Sequence, residues 1–176
     1  MQEHIRRGTT SDLNALAALE AASYPPAEGA TREQIRERLR AYPDHFWILE
    51  TAGEIRAFVN GPVTDTPDLL DEMYDEPELH RETGAWQMIF SVVTAPAYRG
   101  RGCAGRLLRR VIADARAQGR RGLVLTCKEP LLPFYGRLGF VSEGISESTH
   151  GGAAWYQMRL RLNGEEENYG TEMSEL

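Results

Sequence analysis

Val92-Val93-Thr94-Ala95-Pro96-Ala97-Tyr98-Arg99-Gly100-Arg101-Gly102-Cys103-Ala104-Gly105-Arg106 reads as the end of a strand, a turn, a glycine-rich loop and the first turn of a long helix. Such a loop can expose consecutive backbone N–H groups, and the helix N-terminus behind it adds a positive dipole end. The arginines around it (Arg99, Arg101, Arg106, Arg109, Arg110) favour a polyanionic ligand. The expectation is a phosphorylated cofactor at Arg99–Gly105. On the loop alone, a tight strand-to-helix turn with exposed arginines is an equal alternative. The stretch is not a P-loop, because no Gly-Lys-Ser/Thr follows. It is not a dinucleotide fingerprint either, since the glycine spacing is wrong and no acidic residue ends a strand about 20 residues on.

Working outward, Trp86–Thr94 is apolar on both faces, as a central strand would be. Ala104–Gln118 carries Leu107, Leu108, Val111, Ile112 and Ala115 at helical spacing, with Gly119 as the C-terminal stop. Gly122–Cys127 is a second buried strand. A strand–helix–strand crossover of this length requires a parallel pair. Pro130 suits the first turn of a helix ending at Leu138-Gly139, and Phe140–Ile145 and Ala154–Leu162 form a final strand pair. Toward the N-terminus, His4–Arg7 reads as a first strand. Thr10 or Ser11 caps a helix to about Ala22, and Thr31-Arg32-Glu33-Gln34 has the capping-box form and starts a helix to Ala41. Phe46–Glu50 and Ile55–Val63 are strands joined by a turn at Thr51–Glu54. Thr64–Glu82 is an acidic, proline-punctuated insertion with a short helix around Leu69–Tyr74, and its length points to a functional or mobile segment. The whole predicts an α/β fold: a mixed, mostly antiparallel sheet with a splayed parallel pair and helices on both faces. Residues 1–162 form one domain, and 163–176 an acidic tail with too few apolar residues to order.

The 176 residues are 41% hydrophobic and 26% charged, in the range of a globular protein with a full core. The net charge of −6 excludes a protein built as a whole to bind nucleic acid. Acidic residues gather at 65–82 and arginines at 99–121. That division fits a cationic substrate and an anionic cofactor, or simply two solvated faces. Cys103 and Cys127 have no metal-type spacing, and the four histidines are scattered, so no metal site is expected. MQEHIRRGTT has no apolar signal region and no apolar run spans a bilayer, so the expectation is a cytoplasmic protein without a membrane partner.

The loop pattern Arg99, Gly102, Ala104, its approach Pro96-Ala97-Tyr98-Arg99-Gly100, and the aromatic helix Pro133-Phe134-Tyr135-Gly136-Arg137-Leu138-Gly139-Phe140 together resemble the GNAT superfamily of acetyl-CoA-dependent N-acetyltransferases. The resemblance covers about residues 3–162. Within it, Leu125-Thr126-Cys127-Lys128-Glu129, Leu132-Pro133-Phe134-Tyr135 and the acidic stretch ending Leu79-His80 look most like the arylalkylamine (serotonin-type) enzymes and their microbial relatives. It implies acetyl-CoA as cosubstrate. Val92, Val93 and Thr94 would meet the pantetheine arm and thioester, and Gly100, Arg101, Gly102, Cys103, Ala104 and Gly105 the pyrophosphate, with Arg99 beside them. A backbone N–H near Thr94 would stabilise the oxyanion. Tyr135 matches the general acid that protonates the leaving thiolate.

The base departs from the pattern. The animal enzymes carry a His-x-His pair where this chain has Met88 and Phe90, and neither takes a proton. His80 is the first candidate to replace it, with Glu28, Asp71 and His150 behind it. Trp86, Trp155 and Tyr156 line an aromatic amine pocket or pack in the core. The expected activity is acetylation of a small primary amine, an arylalkylamine or polyamine, by a monomer or homodimer. A protein N-acetyltransferase and a non-catalytic acyl-CoA sensor are the alternatives.

Overall fold

The computed structural model describes residues 2–162; the predicted acidic tail lies outside the described residues. The chain runs β1 (Glu3–Arg7), α1 (Leu13–Ser23), α2 (Arg32–Ala41), β2 (Phe46–Thr51), β3 (Glu54–Asn60), β4 (Val63–Thr64), α3 (Glu72–Asp75), β5 (Trp86–Ile89), β6 (Ser91–Thr94), α4 (Cys103–Ala117), β7 (Gly122–Cys127), α5 (Leu132–Arg137), β8 (Val141–Ile145) and β9 (Tyr156–Arg161). The strands form two sheets, ordered β1-β2-β3-β6 and β4-β5-β7-β9-β8. The β5–β7 pair is parallel and the other described pairs are antiparallel.

Strand alternation distributes the core between two layers of helix. On β2, Trp47 and Leu49 face α4 and pack with Leu107, Leu108 and Val111. Phe46 and Ile48 face the other way and pack with Leu13 and Leu16 of α1 and Ile35 and Leu39 of α2. The Thr31–Gln34 capping box forms as expected: Gln34 N–H donates to the Thr31 hydroxyl, and Thr31 N–H to the Gln34 side chain. The first helix differs. Thr9, rather than Thr10 or Ser11, opens it through reciprocal bonds with Asp12, and the first turn is 3₁₀. Ala52 and Gly53 both take positive φ, the geometry of a two-residue turn that matches strand twist.

Two expected elements divide. Ile55–Val63 breaks into β3 and β4 around Gly61-Pro62, and Trp86–Thr94 breaks into β5 and β6 at Phe90. The two breaks are one event. The segment around Gly61 passes over the backbone of β5 so closely that a Cβ at Gly61 would lie 1.9 Å from the Met88 carbonyl oxygen. Phe90 N–H donates to the Asn60 carbonyl while Ser91 is the register partner of Asn60. Two residues thus oppose one, which is a β-bulge. The buried Gln87 side chain braces the crossing by donating to the Gly61 and Met88 carbonyls at 2.9 and 2.8 Å. The chain thereby leaves one sheet at Ile89 and enters the other at Ser91.

The insertion is anchored. Leu69 and Met73 are buried against Trp86, Met88 and Val124, and Arg159 holds the Pro67 carbonyl at 2.7 Å.

Gly61→Ala should cost about 3 kcal/mol or more, because the atoms it meets are backbone and cannot yield. Gly136→Ala, in α5 with nothing near the added carbon, should gain about 0.5–1 kcal/mol. Denaturant unfolding of the two variants checks the contrast.

Candidate active site

The divergence at Phe90 opens the middle of the molecule. β5 and β7 pair from Trp86/Gly122 to Ile89/Leu125. Beyond that register β7 continues to Cys127 on one side, while β6 turns to pair with β3 on the other. The Ala95 N–H donates to the Arg56 carbonyl. By antiparallel alternation, the backbone groups of Thr94 and Val92 then point away from β3 into the gap. The Tyr24 hydroxyl confirms this at Val92, donating to its carbonyl at 3.2 Å and accepting from its N–H at 3.3 Å. The Thr94 carbonyl accepts from Arg99 Nε at 3.2 Å. Val93 is different: its backbone faces Phe58 of β3, and its side chain is buried with Phe46 and Ile48. Of the three β6 residues expected at a thioester, the structure therefore brings Val92 and Thr94 to the gap and keeps Val93 in the core.

The loop that follows has the form of an anion cradle. Gly100 and Gly102 sit at φ 78° and 75°, where other residues are strained. Gly102 is the N-cap of the 15-residue helix α4. Having no side chain, it leaves the first-turn N–H groups without a side-chain cap. Arg101 lies over the Tyr98 ring. Arg106 bridges the loop to β1, donating to the Arg101 carbonyl at 2.7 Å and pairing with Glu3 at 2.7 Å, and the Cys103 side chain is buried as packing under α4.

A cleft of about 200 Å³ lies beside the gap. Its walls are aromatic: Tyr24 and Tyr135 at the β6–β7 divergence, with Tyr74, Phe90, His150 and Trp155 farther along. His150 stacks on Tyr74 with ring centroids 4.8 Å apart. Tyr135 is buried, and burial pushes its phenol well above the usual range, so it stays protonated. Cys127 is also in the wall. Burial pushes its thiol up to about 11, and its sulfur contacts Met158, so it is no nucleophile at neutral pH.

The remaining sequence candidates separate. Glu28 and His150 line the cleft, but Glu28 is paired with Lys128 at 2.6 Å and His150 Nε2 donates to the Glu28 carbonyl at 2.7 Å. Asp71 is taken up by the Ser148 hydroxyl and the Thr149 N–H. Trp155 is a cleft wall, whereas Trp86 is core. Phe90, read as a lost histidine, is a wall as well. Sequence reasoning missed Glu20, Tyr24 and Arg38, all in the cleft lining. Two of them were signalled. Glu20 falls on the Leu13–Leu16 stripe of α1 and Arg38 beside Ile35 and Leu39 on α2, so each puts a charge on a buried face.

Residues 13–140 match the model of the acetyltransferase (GNAT) family. The chain belongs to that family, which makes it an acyltransferase of the N-acetyltransferase class with acetyl-CoA as cosubstrate. Over 142 residues it is 30% identical to glucosamine 6-phosphate N-acetyltransferase 1 of Oryza sativa subsp. japonica, covering 80% of this chain and 78% of that one. Two solved structures share the fold at a TM-score of 0.80. One is the loading GNATL domain of CurA from Lyngbya majuscula, 19% identical over 92% of this chain and 98% of that one. The other is the GphF GNAT-like decarboxylase in complex with isobutyryl-CoA, 23% identical over 91% of this chain and all of that one. These relatives do not single out the arylalkylamine branch. No helix among the described residues is long and apolar enough to cross a membrane.

His80 is not brought to the cleft. Its Nδ1 accepts from Val63 N–H at 2.9 Å, which puts its proton on Nε2, and Nε2–H donates to Glu82 at 2.8 Å. A ring bonded on both nitrogens pins the insertion to β4 and is not free to act as a base. The histidines are not all scattered either: the buried His45 meets the same Glu82 carboxylate at 2.9 Å, with Arg120 3.7 Å from its other oxygen. His45, His80 and Glu82 could together offer three ligand atoms to a metal. The Val63–His80 bond opposes that use, since it leaves no lone pair on Nε2.

Burial and the neighbouring His45 and Arg120 lower the His80 pKa below its ordinary 6.5. Below pH 6.5 the unfolded chain takes up this proton before the folded one, so the His80 contribution to stability should fall as pH drops from 6.5 toward 5. Thermal melts across that range should show the slope, and His80→Asn should flatten it.

Proposed function

We propose that the protein transfers the acetyl group of acetyl-CoA to a small primary amine, an arylalkylamine or polyamine, with Tyr135 as the general acid. The observation that carries this reading is the position of Tyr135: a buried, protonated phenol in the wall of the cleft where β6 leaves β7. The pyrophosphate would lie on the Gly100–Gly105 amides, with Arg99 and Arg101 beside it. The pantetheine arm would enter between Val92 and Cys127, using the outward backbone groups of β6 as an added strand does. That use requires the Tyr24 hydroxyl to give up Val92.

In the reaction the neutral amine attacks the thioester carbonyl. The N–C bond forms as the carbonyl π pair moves to oxygen, where an outward N–H of β6 can stabilise it. Collapse breaks the C–S bond, and the departing thiolate takes the Tyr135 proton. An alkylamine with a pKa of about 10.4 is mostly protonated at neutral pH. The amine must therefore lose one proton before attack and another after it.

The cleft favours a small acceptor. Its volume and aromatic walls suit a flat or slender amine. Lys128, at its mouth over Trp155, and the glucosamine 6-phosphate relative make a phosphorylated amino sugar the second acceptor to test.

Thiol release should be followed with tryptamine, phenylethylamine, spermidine, glucosamine 6-phosphate and an N-terminal peptide. Saturable turnover with one of the small amines is expected. Tyr135→Phe should lower kcat by about 10²-fold or more while leaving coenzyme A affinity unchanged; unchanged kcat would remove the assigned role.

A further inference from the structure

We infer that Glu20 is the proton acceptor of this site and the anchor for the ammonium form of the incoming amine. The inference rests on the amine-acetylation reading above and identifies the group that replaces the missing histidine pair.

The argument begins with α1. Its buried stripe is Leu13, Leu16, Glu20, and the third position should be apolar. Glu20 is instead 1% exposed and faces β6 and the cleft. One carboxylate oxygen accepts from the Ser91 hydroxyl. The other is buried without a hydrogen-bond partner. A buried carboxylate oxygen left unpaired costs free energy and is retained where a ligand completes it. The missing partner is a donor, and an ammonium group supplies one.

The groups facing this carboxylate do not satisfy it. Arg38 of α2 is near enough to act on it by charge, but its Nη2 donates to the Tyr74 carbonyl and its Nε has no partner. The Ala30 amide and Ser91 also stabilise the ionised form, while burial acts against them and dominates, so the carboxyl is held above its ordinary range. A carboxylate whose proton affinity is raised in this way is a better proton acceptor than a solvated one. Tyr24, the C-cap just beyond α1, bonds Val92, the residue after Ser91. Glu20 therefore lies beside the open edge of β6, where the thioester would sit. The other free carboxylate of the lining, Glu28, is neutralised by Lys128.

The proton balance is simple. The ammonium gives one proton to the ionised Glu20, the freed nitrogen attacks, and the carboxylic acid passes its proton to solvent through the cleft. After attack, the thiolate is protonated from Tyr135, and the second nitrogen proton restores the Tyr135 phenol through the cleft, so one proton is released to solvent per turnover.

The test compares wild type, Glu20→Gln and Ser91→Ala, with folding checked by circular dichroism and coenzyme A binding by calorimetry. Glu20→Gln keeps the shape and the Ser91 bond. It should lose about 10²-fold or more in kcat with tryptamine or spermidine and retain coenzyme A affinity. With trifluoroethylamine, which is largely unprotonated at neutral pH, the loss should shrink to a few-fold. Ser91→Ala removes a bond that favours the carboxylate, so the acidic limb of kcat/KM should move to higher pH. Wild-type kcat and pH profile in Glu20→Gln would overturn the inference and leave the amine reading standing. An equal loss with both kinds of amine, or a loss in His150→Asn that Glu20→Gln lacks, would also overturn it. Absence of turnover by the wild type with every primary amine removes both.

Discussion

The site depends on a backbone constraint: one strand cannot keep hydrogen bonds to two sheets that diverge. At Phe90 the chain exchanges β7 for β3, and the outward amides and carbonyls of β6 lose their strand partner. Backbone groups so placed must find other partners. Tyr24 reaches Val92, and Arg99 reaches the Thr94 carbonyl. Both partners are side chains, so both can be exchanged for a ligand without breaking a ladder. The close approach of Gly61 to Met88 and the three carbonyls held by Gln87 force this exchange of sheets to occur at one residue.

The same geometry explains what was legible. The loop from Arg99 to Gly105, the α4 stripe and the parallel β5–β7 pair each follow from local spacing, and each stands as expected. The break at Phe90 was not legible, because Trp86–Thr94 has strand character throughout and the interruption comes from Gly61, far away in sequence. His80 illustrates the opposite error. Its setting beside an acidic stretch looked like a site, but both ring nitrogens are used in holding that stretch to β4 and Glu82. Glu20 could have been read from its place on an apolar stripe; Tyr24 could not, since its role depends on which β6 carbonyl lacks a strand partner.

Charge is arranged in two regimes. At the glycine-rich loop, α4 presents uncapped N–H groups and exposed arginines to solvent, where a polyanion can arrive by long-range attraction. In the cleft, Glu28 is paired with Lys128, and Glu20, Arg38 and Tyr135 are strongly buried. The first regime suits capture of a polyanion, and the second suits chemistry shielded from water.

The second regime also answers an objection to Tyr135 as an acid. A phenol pushed upward by burial is a reluctant donor to a thiolate of ordinary basicity, about 8.5 for a free thiol. The thiolate of coenzyme A would be expelled into the same dry wall, however, and Cys127 in that wall gauges what the surroundings do to sulfur: its thiol is pushed up to about 11 by burial alone. Donor and acceptor basicities therefore rise together, so the rise at the sulfur offsets part of the rise at the phenol. Burial of the leaving sulfur makes it need the proton, and burial of Tyr135 keeps the proton there until the C–S bond breaks.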